Sequence, residues 1–147
     1  MAVIIRNLKT EDETRWRKLW DGYCRFYDAS VSADITNATW ARLLDKDSAI
    51  FGLVAEVAGE VVGFTNCVLH DNTWSTKPVC YLEDLFCAPE ARGQGVGRAL
   101  VEAVQQMGRD EGWRHVYWRT DAGNVTAQSL YNKLAKRTDW VTYEMKL

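Results

Sequence analysis

The sequence has little proline, no excess of charge of one sign and no long hydrophobic run. Only 2 of its 147 residues are proline, and 18 Lys and Arg stand against 20 Asp and Glu, which gives a net charge of -2. This near balance excludes the uniform basic field that is typical of nucleic-acid-binding proteins. The apolar N-terminal stretch is interrupted at Arg6, too early for a signal peptide or a membrane span. We expect a cytoplasmic protein.

Cysteine and histidine are few and scattered. No Cys-x-x-Cys pair is present, and His70 lies far from His115 along the chain. This spacing supports neither a zinc site nor a disulfide framework, so we expect no metal. Each cysteine falls in an apolar stretch, where a free thiol usually acts as a small core residue. The cysteines are Cys24, Cys67, Cys80 and Cys87.

Length and composition predict one folded domain over residues 1–147, because 47% of the residues are hydrophobic and 26% charged. Thr10 and Glu13 have the spacing of a capping box at the start of a helix. The expected elements are a strand at 2–8, a helix after Thr10, a helix at Thr36–Asp47, strands at Ile50–Val57, Glu60–Leu69 and Val79–Cys87, a helix at Gly95–Glu111, a strand at His115–Thr120, a helix at Asn124–Ala135 and a strand at Val141–Leu147. Antiparallel strands followed by strand–helix–strand units predict an α/β domain with a mixed sheet.

The most informative segment is a glycine-rich loop between a strand and an amphipathic helix. It reads Arg92-Gly93-Gln94-Gly95-Val96-Gly97-Arg98. Glycine lets the backbone approach a ligand closely, and the first amides of a helix bind anions, so the loop is suited to a diphosphate flanked by the two arginines. The spacing is neither the dinucleotide fingerprint nor a P-loop. The alternative is a tight helix entry that binds no ligand.

The pattern Arg92-x-x-Gly95-x-Gly97 after the strand Tyr81–Cys87 resembles the acetyl-CoA signature of the GNAT N-acetyltransferase superfamily. Downstream, Asn124 opens a helix with Ala127, Leu130 and Tyr131, which is similar to the second cofactor motif of the family. The resemblance covers roughly the second half of the chain. The segment Lys136–Trp140 departs from the family, which usually has Gly-Phe there. The chain looks nearest to the branch with polyamine, D-amino-acid and yeast histone-type acetyltransferases.

The resemblance implies a largely antiparallel sheet in which two parallel strands, Tyr81–Cys87 and His115–Thr120, splay apart around acetyl-CoA as co-substrate. Backbone groups of Leu85, Phe86 and Cys87 would pair with the pantetheine arm. The amides of the glycine-rich loop would hold the pyrophosphate, and the Asn124 side chain would reach the pantetheine. An amide near Leu85 or Phe86 would act as oxyanion donor. In this branch the last strand pairs with or crosses into a second subunit, so we expect a homodimer.

Acetyl transfer to an amine benefits from a base, because a typical amine with a pKa of about 10 is mostly protonated near neutrality. Glu83 and Asp84 are adjacent on a strand and are therefore expected to face opposite sides. We favour Glu83 as the base, with Asp84 as the alternative, although both carboxylates are also explained as ion-paired groups. Tyr131, two helical turns after Asn124, is the expected general acid for the thiolate. A covalent route through Cys87 stays open.

The helix after Thr10 carries Trp20, Tyr23 and Tyr27, which are expected to bind a cationic amine together with Glu83. Ordinary core packing explains the same spacing. The favoured function is acetylation of a primary amine on a polyamine-like or amino-acid-like small molecule, by direct attack in a ternary complex. The alternatives are acetylation of a protein lysine or N-terminus, and a non-enzymatic acetyl-CoA-binding regulatory module.

Overall fold

A five-stranded sheet organises the chain in a computed structural model that describes residues 2–147. Its strands are β1 (Val3–Asn7), β2 (Ile50–Val57), β3 (Glu60–His70), β4 (Val79–Cys87) and β5 (Val116–Tyr117). They lie side by side in chain order, antiparallel from β1 to β4, and the β4–β5 pair is parallel. The predicted mixed, largely antiparallel sheet is confirmed.

Helices cover both faces of this sheet. They are α1 (Glu13–Phe26), α2 (Ala33–Leu44), α3 (Val96–Glu111) and α4 (Val125–Leu134). One buried cluster joins α3, through Leu100 and Val104, to Leu82 of β4. A second cluster on the opposite face joins α1 and α2 to Phe64 of β3 through Trp16. The sheet is therefore the middle layer of three.

The β3 strand is buried on both faces, from Val61 to Cys67. Gly63 in its centre lies against the first turn of α3, where a Cβ atom would be 2.8 Å from Cγ1 of Val96. Such a contact is too short for any side chain, so glycine is required there for α3 to approach the sheet. This approach fixes the N-terminus of α3 beside β4.

The ends of two helices differ from the prediction. Ahead of α1, the backbone N–H of Lys9 donates to the carboxylate of Asp12 at 2.7 Å. The predicted role of Thr10 in capping is thus taken by a different residue and a different contact. Residues Thr10–Asp12 form a 3-10 turn, so α1 begins at Glu13. The α2 helix begins earlier than predicted because the hydroxyl of Ser32 accepts from the Ile35 N–H at 3.3 Å.

The predicted final strand at Val141–Leu147 is wrong, since this segment has no regular secondary structure and is exposed. A strand needs a neighbouring edge with which to pair, and the segment has no such partner among residues 2–147. The strand predicted at His115–Thr120 is shorter, at Val116–Tyr117, because its pairing with β4 ends there. Within residues 2–147, no helix has the length and apolarity needed to cross a membrane.

Candidate active site

The parallel strands β4 and β5 form a fork. They pair only at Cys80 with Val116 and at Tyr81 with Tyr117, after which β4 continues to Cys87 without a β5 partner. The backbone of residues 82–87 thus has one edge free of strand pairing within the part of the chain that the structure describes. An extended ligand is able to bind such an edge as an added strand. The residues predicted for this role, Leu85, Phe86 and Cys87, all lie on this edge.

A β-bulge lies at Glu83. In the β3–β4 ladder Cys67 is opposite Leu82 and Asn66 is opposite Asp84, so Glu83 is the additional residue. The bulge shifts the side-chain alternation by one position. The prediction that Glu83 and Asp84 face opposite sides is therefore wrong, because the register places both on the face covered by α1. Two carboxylates meet at the mouth of the fork.

The two carboxylates have different surroundings. Asp84 is half-buried, and its Oδ2 accepts a hydrogen bond from Nδ2 of Asn66 at 3.1 Å. Burial raises the pKa of Asp84, while the facing Tyr23 hydroxyl and the Asn66 amide oppose this rise. Glu83 is exposed at the bulge, and its charge also acts on Asp84 and Tyr23. The site combines a solvent-accessible carboxylate with a sheltered one.

Two of the predicted aromatic residues of α1, Trp20 and Tyr23, belong to a stacked row. Trp20 lies between Trp16 and Tyr23, with 5.5 Å between ring centroids on each side. Its indole N–H donates to the Thr36 hydroxyl at 3.1 Å, so Trp20 joins α1 to α2. Burial raises the pKa of Tyr23, and the charge of Asp84 adds to the shift. Of the row, Tyr23 is the residue that reaches the carboxylates.

Tyr27 follows Tyr23 one helical turn later, at the C-terminal end of α1. Its ring centroid is 5.0 Å from that of Tyr23, and 48% of the residue is exposed. Burial raises its pKa, and the charge of Asp84 acts in the same direction. Tyr27 therefore lies at the rim of the site, between the carboxylates and solvent.

The glycine-rich loop has the backbone conformation expected of an anion site. Gly93 and Gly95 have φ values of 79° and 80°, which are left-handed and favour glycine. Gly95 is the N-cap of α3 and has no side chain with which to accept a hydrogen bond from the first backbone N–H groups of the helix. These N–H groups are therefore available to a ligand. A Cβ atom at Gly97 would have only Cδ2 of Leu130 nearby, at 3.9 Å. Val96 points into the core, whereas Gln94 is exposed.

The two arginines of the loop are exposed, but each already has a contact. The guanidinium of Arg92 lies 5.8 Å from the ring centroids of both Phe26 and Phe86. Nε of Arg98 donates to Oε1 of Glu102 at 2.6 Å. The positive charges expected on both sides of the glycine-rich loop are thus present. Arg98 forms an ion pair with Glu102 one helical turn away.

The α4 helix closes the other side of the fork. Its N-cap is Asn124, whose Oδ1 accepts from the N–H of Ala127 at 3.2 Å. The ring of Tyr131 meets the Trp118 ring edge to face, at 5.4 Å between centroids. Burial raises the pKa of Tyr131, and Tyr27 contributes further. Tyr131 therefore keeps its proton near neutrality.

The thiol of Cys87 is half-buried and donates to the carbonyl of Ala88 at 3.4 Å. Burial raises its pKa, which disfavours the thiolate that a covalent route requires. Among residues 2–147, no group of three or more His, Cys, Asp or Glu side chains is arranged to hold a metal ion.

Four further polar or aromatic residues lie at the fork and were not predicted from the sequence. Each of them lies in β4 close to Glu83, or contacts or is paired with a residue of β4 there. They are Asn66, Tyr81, Tyr117 and Arg119. The period-two alternation of a strand was the available signal, since Tyr81 precedes Glu83 by two positions.

The chain matches the family model described as acetyltransferase (GNAT) family over residues 12–135. The chain belongs to the GNAT acetyltransferase family. It is therefore an acetyl-CoA-dependent N-acetyltransferase, as the sequence resemblance predicted. The amide-rich start of α3 and the free edge of β4 fit a ligand with a diphosphate and an extended amide-containing arm.

Known relatives agree with this GNAT assignment. A D-amino-acid N-acetyltransferase of Saccharomyces cerevisiae is 34% identical over 97% of this chain and 89% of its own length. An aminoglycoside N(6')-acetyltransferase type 1 of Stenotrophomonas maltophilia is 32% identical over 97% of this chain and 92% of its own. A solved aminoglycoside N-acetyltransferase in complex with CoA has a TM-score of 0.82 and 25% identity, covering 99% and 95% of the two chains. The predicted relation to the D-amino-acid branch is confirmed.

Proposed function

We propose that this GNAT enzyme transfers an acetyl group from acetyl-CoA directly to the primary amine of a small molecule. The observation that carries the proposal is the fork, which has an anion-binding helix start on one side and two carboxylates at its mouth. Acetyl-CoA supplies the acyl group as an activated thioester. Residues of this chain bind acetyl-CoA, bind the amine and transfer the protons.

Binding of the co-substrate falls to the fork and the glycine-rich loop. The free edge of β4 at Leu85, Phe86 and Cys87 offers backbone partners to the pantetheine arm, and the first amides of α3 face the pyrophosphate. A backbone amide at Leu85 or Phe86 would donate to the thioester carbonyl. Because Oδ1 of Asn124 already caps α4, we assign contact with the pantetheine to its amide NH₂ group.

Glu83 is the proposed base. It is exposed at the bulge, so an ammonium acceptor reaches it from solvent and gives up a proton to it, directly or through one water. Asp84 is more sheltered and holds contacts with Asn66 and Tyr23, which suits the binding of the incoming ammonium. Tyr23 and Tyr27 would contribute aromatic faces to the same cation.

Tyr131 is the proposed acid. Its raised pKa keeps the phenol protonated, so it is able to donate to the departing thiolate sulfur. No covalent enzyme intermediate is needed, because the amine attacks in the ternary complex.

The test is release of free CoA from acetyl-CoA with a panel of polyamines, amino acids of both hands, aminoglycosides and a histone-tail peptide. We expect turnover with at least one small amine and none with the peptide. Turnover only with the peptide would replace the proposal by acetylation of protein. Tight acetyl-CoA binding in calorimetry without turnover on any amine would contradict the proposed acceptor class.

We further propose that residues 1–147 act as one catalytic domain and pair as a homodimer. Beyond α4, exposed apolar side chains alternate with polar ones, and they are Val141, Tyr143, Met145 and Leu147. A groove of about 270 Å³ lies between α3, α4 and β5, lined in part by Val101, Trp113 and Leu134. The C-terminal segment of a second copy, added along β5, would bury its apolar side chains in this groove.

Sedimentation velocity tests the dimer. The double variant Tyr143→Glu and Met145→Glu should be monomeric, because both charges would enter the groove. Lys146→Glu is the matched control on the alternate face and should leave the dimer intact. A monomeric native protein, or a dimer unaffected by the double variant, would overturn this arrangement.

A further inference from the structure

A stacked tyrosine pair lies on the sheet face that carries Glu83. Tyr81 of β4 and Tyr117 of β5 are partners in the parallel ladder, and their rings are 4.9 Å apart with 13° between planes. The far side of Tyr117 is fixed by His70, whose Nε2 lies 3.0 Å from the Tyr117 hydroxyl. The pair forms a rigid aromatic surface at the base of the fork.

Arg119 is held on this surface. Its Nε donates to the Tyr81 hydroxyl at 3.1 Å, and its guanidinium carbon lies 5.5 Å from the centroid of the Tyr81 ring. A guanidinium has five N–H donors, and this contact uses one. No carboxylate within residues 2–147 forms an ion pair with Arg119 at 4.0 Å or less. Glu144, on the exposed C-terminal segment, acts on Arg119 only through space.

Residues of opposite charge therefore follow the tyrosine pair on the two arms of the fork, Glu83 after Tyr81 and Arg119 after Tyr117. Glu83 follows Tyr81 by two positions on β4 and therefore shares its face, and the hydrogen bond to the Tyr81 hydroxyl brings Arg119 to the same ring. On β4 Glu83 lies between Tyr81 and Asp84, and its charge acts on both Tyr117 and Asp84. Paired strands are about 4.8 Å apart, and the separation grows as the fork opens. A small acceptor with an amine and a carboxylate a few bonds apart would span this gap.

We propose that Arg119 determines acceptor specificity by binding a carboxylate of the substrate, so that the enzyme acetylates amino acids and related amino carboxylates. This inference depends on the proposed acetylation of small amines. A guanidinium pairs with a carboxylate through two parallel hydrogen bonds, and contact with Tyr81 orients it for this. A polyamine or an aminoglycoside has ammonium groups and no negative charge, so it offers no carboxylate to Arg119 and places additional positive charge near it.

The test compares each amino acid with its own carboxamide, which keeps the amine and the side chain but lacks the negative charge. In the native enzyme, kcat/KM for the free acid should exceed that for the amide by about 10- to 100-fold, as expected of charge-assisted hydrogen bonds. Arg119→Gln should abolish the difference by lowering kcat/KM for the acid alone, and Arg119→Lys should retain part of it. The Kd for acetyl-CoA should not change in either variant, which also verifies their folding.

Arg114→Gln is the matched control, since Arg114 is also an exposed arginine over an aromatic ring, 5.4 Å from the Trp74 centroid. It should retain the preference of the native enzyme. Equal use of acid and amide by the native enzyme, or an unchanged preference in Arg119→Gln, would overturn the assignment of Arg119 while leaving amine acetylation intact. Absence of turnover on every amine would overturn both proposals.

Discussion

The most discriminating perturbation of the co-substrate site is Gly97→Val in the first turn of α3. A Cβ atom at this position has only Cδ2 of Leu130 within 4 Å, at 3.9 Å, so the fold has room for a side chain. Valine has a slightly higher helix propensity than glycine, by about 0.4 kcal/mol, and we expect unchanged or marginally higher thermal stability. The branched side chain would, however, occupy space in front of the helix amides.

Loss of two charge-assisted hydrogen bonds to the pyrophosphate costs at least about 3 kcal/mol, which corresponds to roughly a 150-fold higher Kd for acetyl-CoA. Titration calorimetry measures the Kd, and a thermal melt of the same sample reports the fold. Gly97→Ala is the matched control, because a single methyl at 3.9 Å from Leu130 needs little displacement, and it should bind within a few-fold of the native protein. Tight binding by a well-folded Gly97→Val variant would refute the assignment of the pyrophosphate to this helix start.

Three further predictions concern the residues proposed to transfer protons and the anchoring of α1. Tyr131→Phe should lower kcat while leaving the Kd for acetyl-CoA nearly intact, and an unchanged kcat in the CoA-release assay would remove Tyr131 as the acid. Glu83→Gln should move the acid limb of the pH–rate profile to higher pH, towards the pKa of the free amine, and an unaltered profile would exclude Glu83 as the base. Asp12 is buried, and its ion pair with Arg6 at 2.8 Å lowers the pKa of the carboxyl group in the folded protein. The ion pair therefore stabilises the fold fully above the pKa of about 3.9 that Asp12 has in the unfolded chain. This stabilisation is lost as the pH falls through the pKa of Asp12 in the folded protein. Asp12→Asn should therefore cost about 1–3 kcal/mol of unfolding free energy near pH 7 and little in strong acid, with exposed Glu11→Gln unchanged in urea titrations at both pH values.

The positions of the strands were predictable because hydrophobic alternation and turn residues are local signals. β2 and β4 have the predicted bounds, and the glycine-rich loop precedes α3 as expected. The bulge at Glu83 was not predictable, since an additional residue in a ladder is defined by the partner strand and leaves no mark in the strand's own sequence. Both carboxylates were predicted as site residues, but their position on the same face was not.

Long-range contacts explain the other differences. Thr10 was expected to cap α1, but the start of α1 has no side-chain cap; instead the Asp12 carboxylate, which pairs with the Arg6 guanidinium on β1, accepts from the Lys9 N–H. Apolar and polar residues alternate in Val141–Leu147 as they do in a strand. Such a segment becomes a strand only when it pairs with the edge of a sheet, and its own sequence does not say where that edge lies. Arg119 was not predicted because the role proposed for it depends on contact with Tyr81, which lies 38 positions earlier in the chain.

The bulge also determines what a one-residue deletion in β4 would do. Deletion of Glu83 would leave Leu82 opposite Cys67 and Asp84 opposite Asn66, with every apolar side chain of β4 still on its present face. Such a chain would have an uninterrupted ladder and a core of the same composition, and it would lack the outer carboxylate. Folding alone therefore favours the shorter strand. We therefore expect a variant that lacks Glu83 to fold and to melt at or above the temperature of the native protein, while it loses the carboxylate proposed as the base.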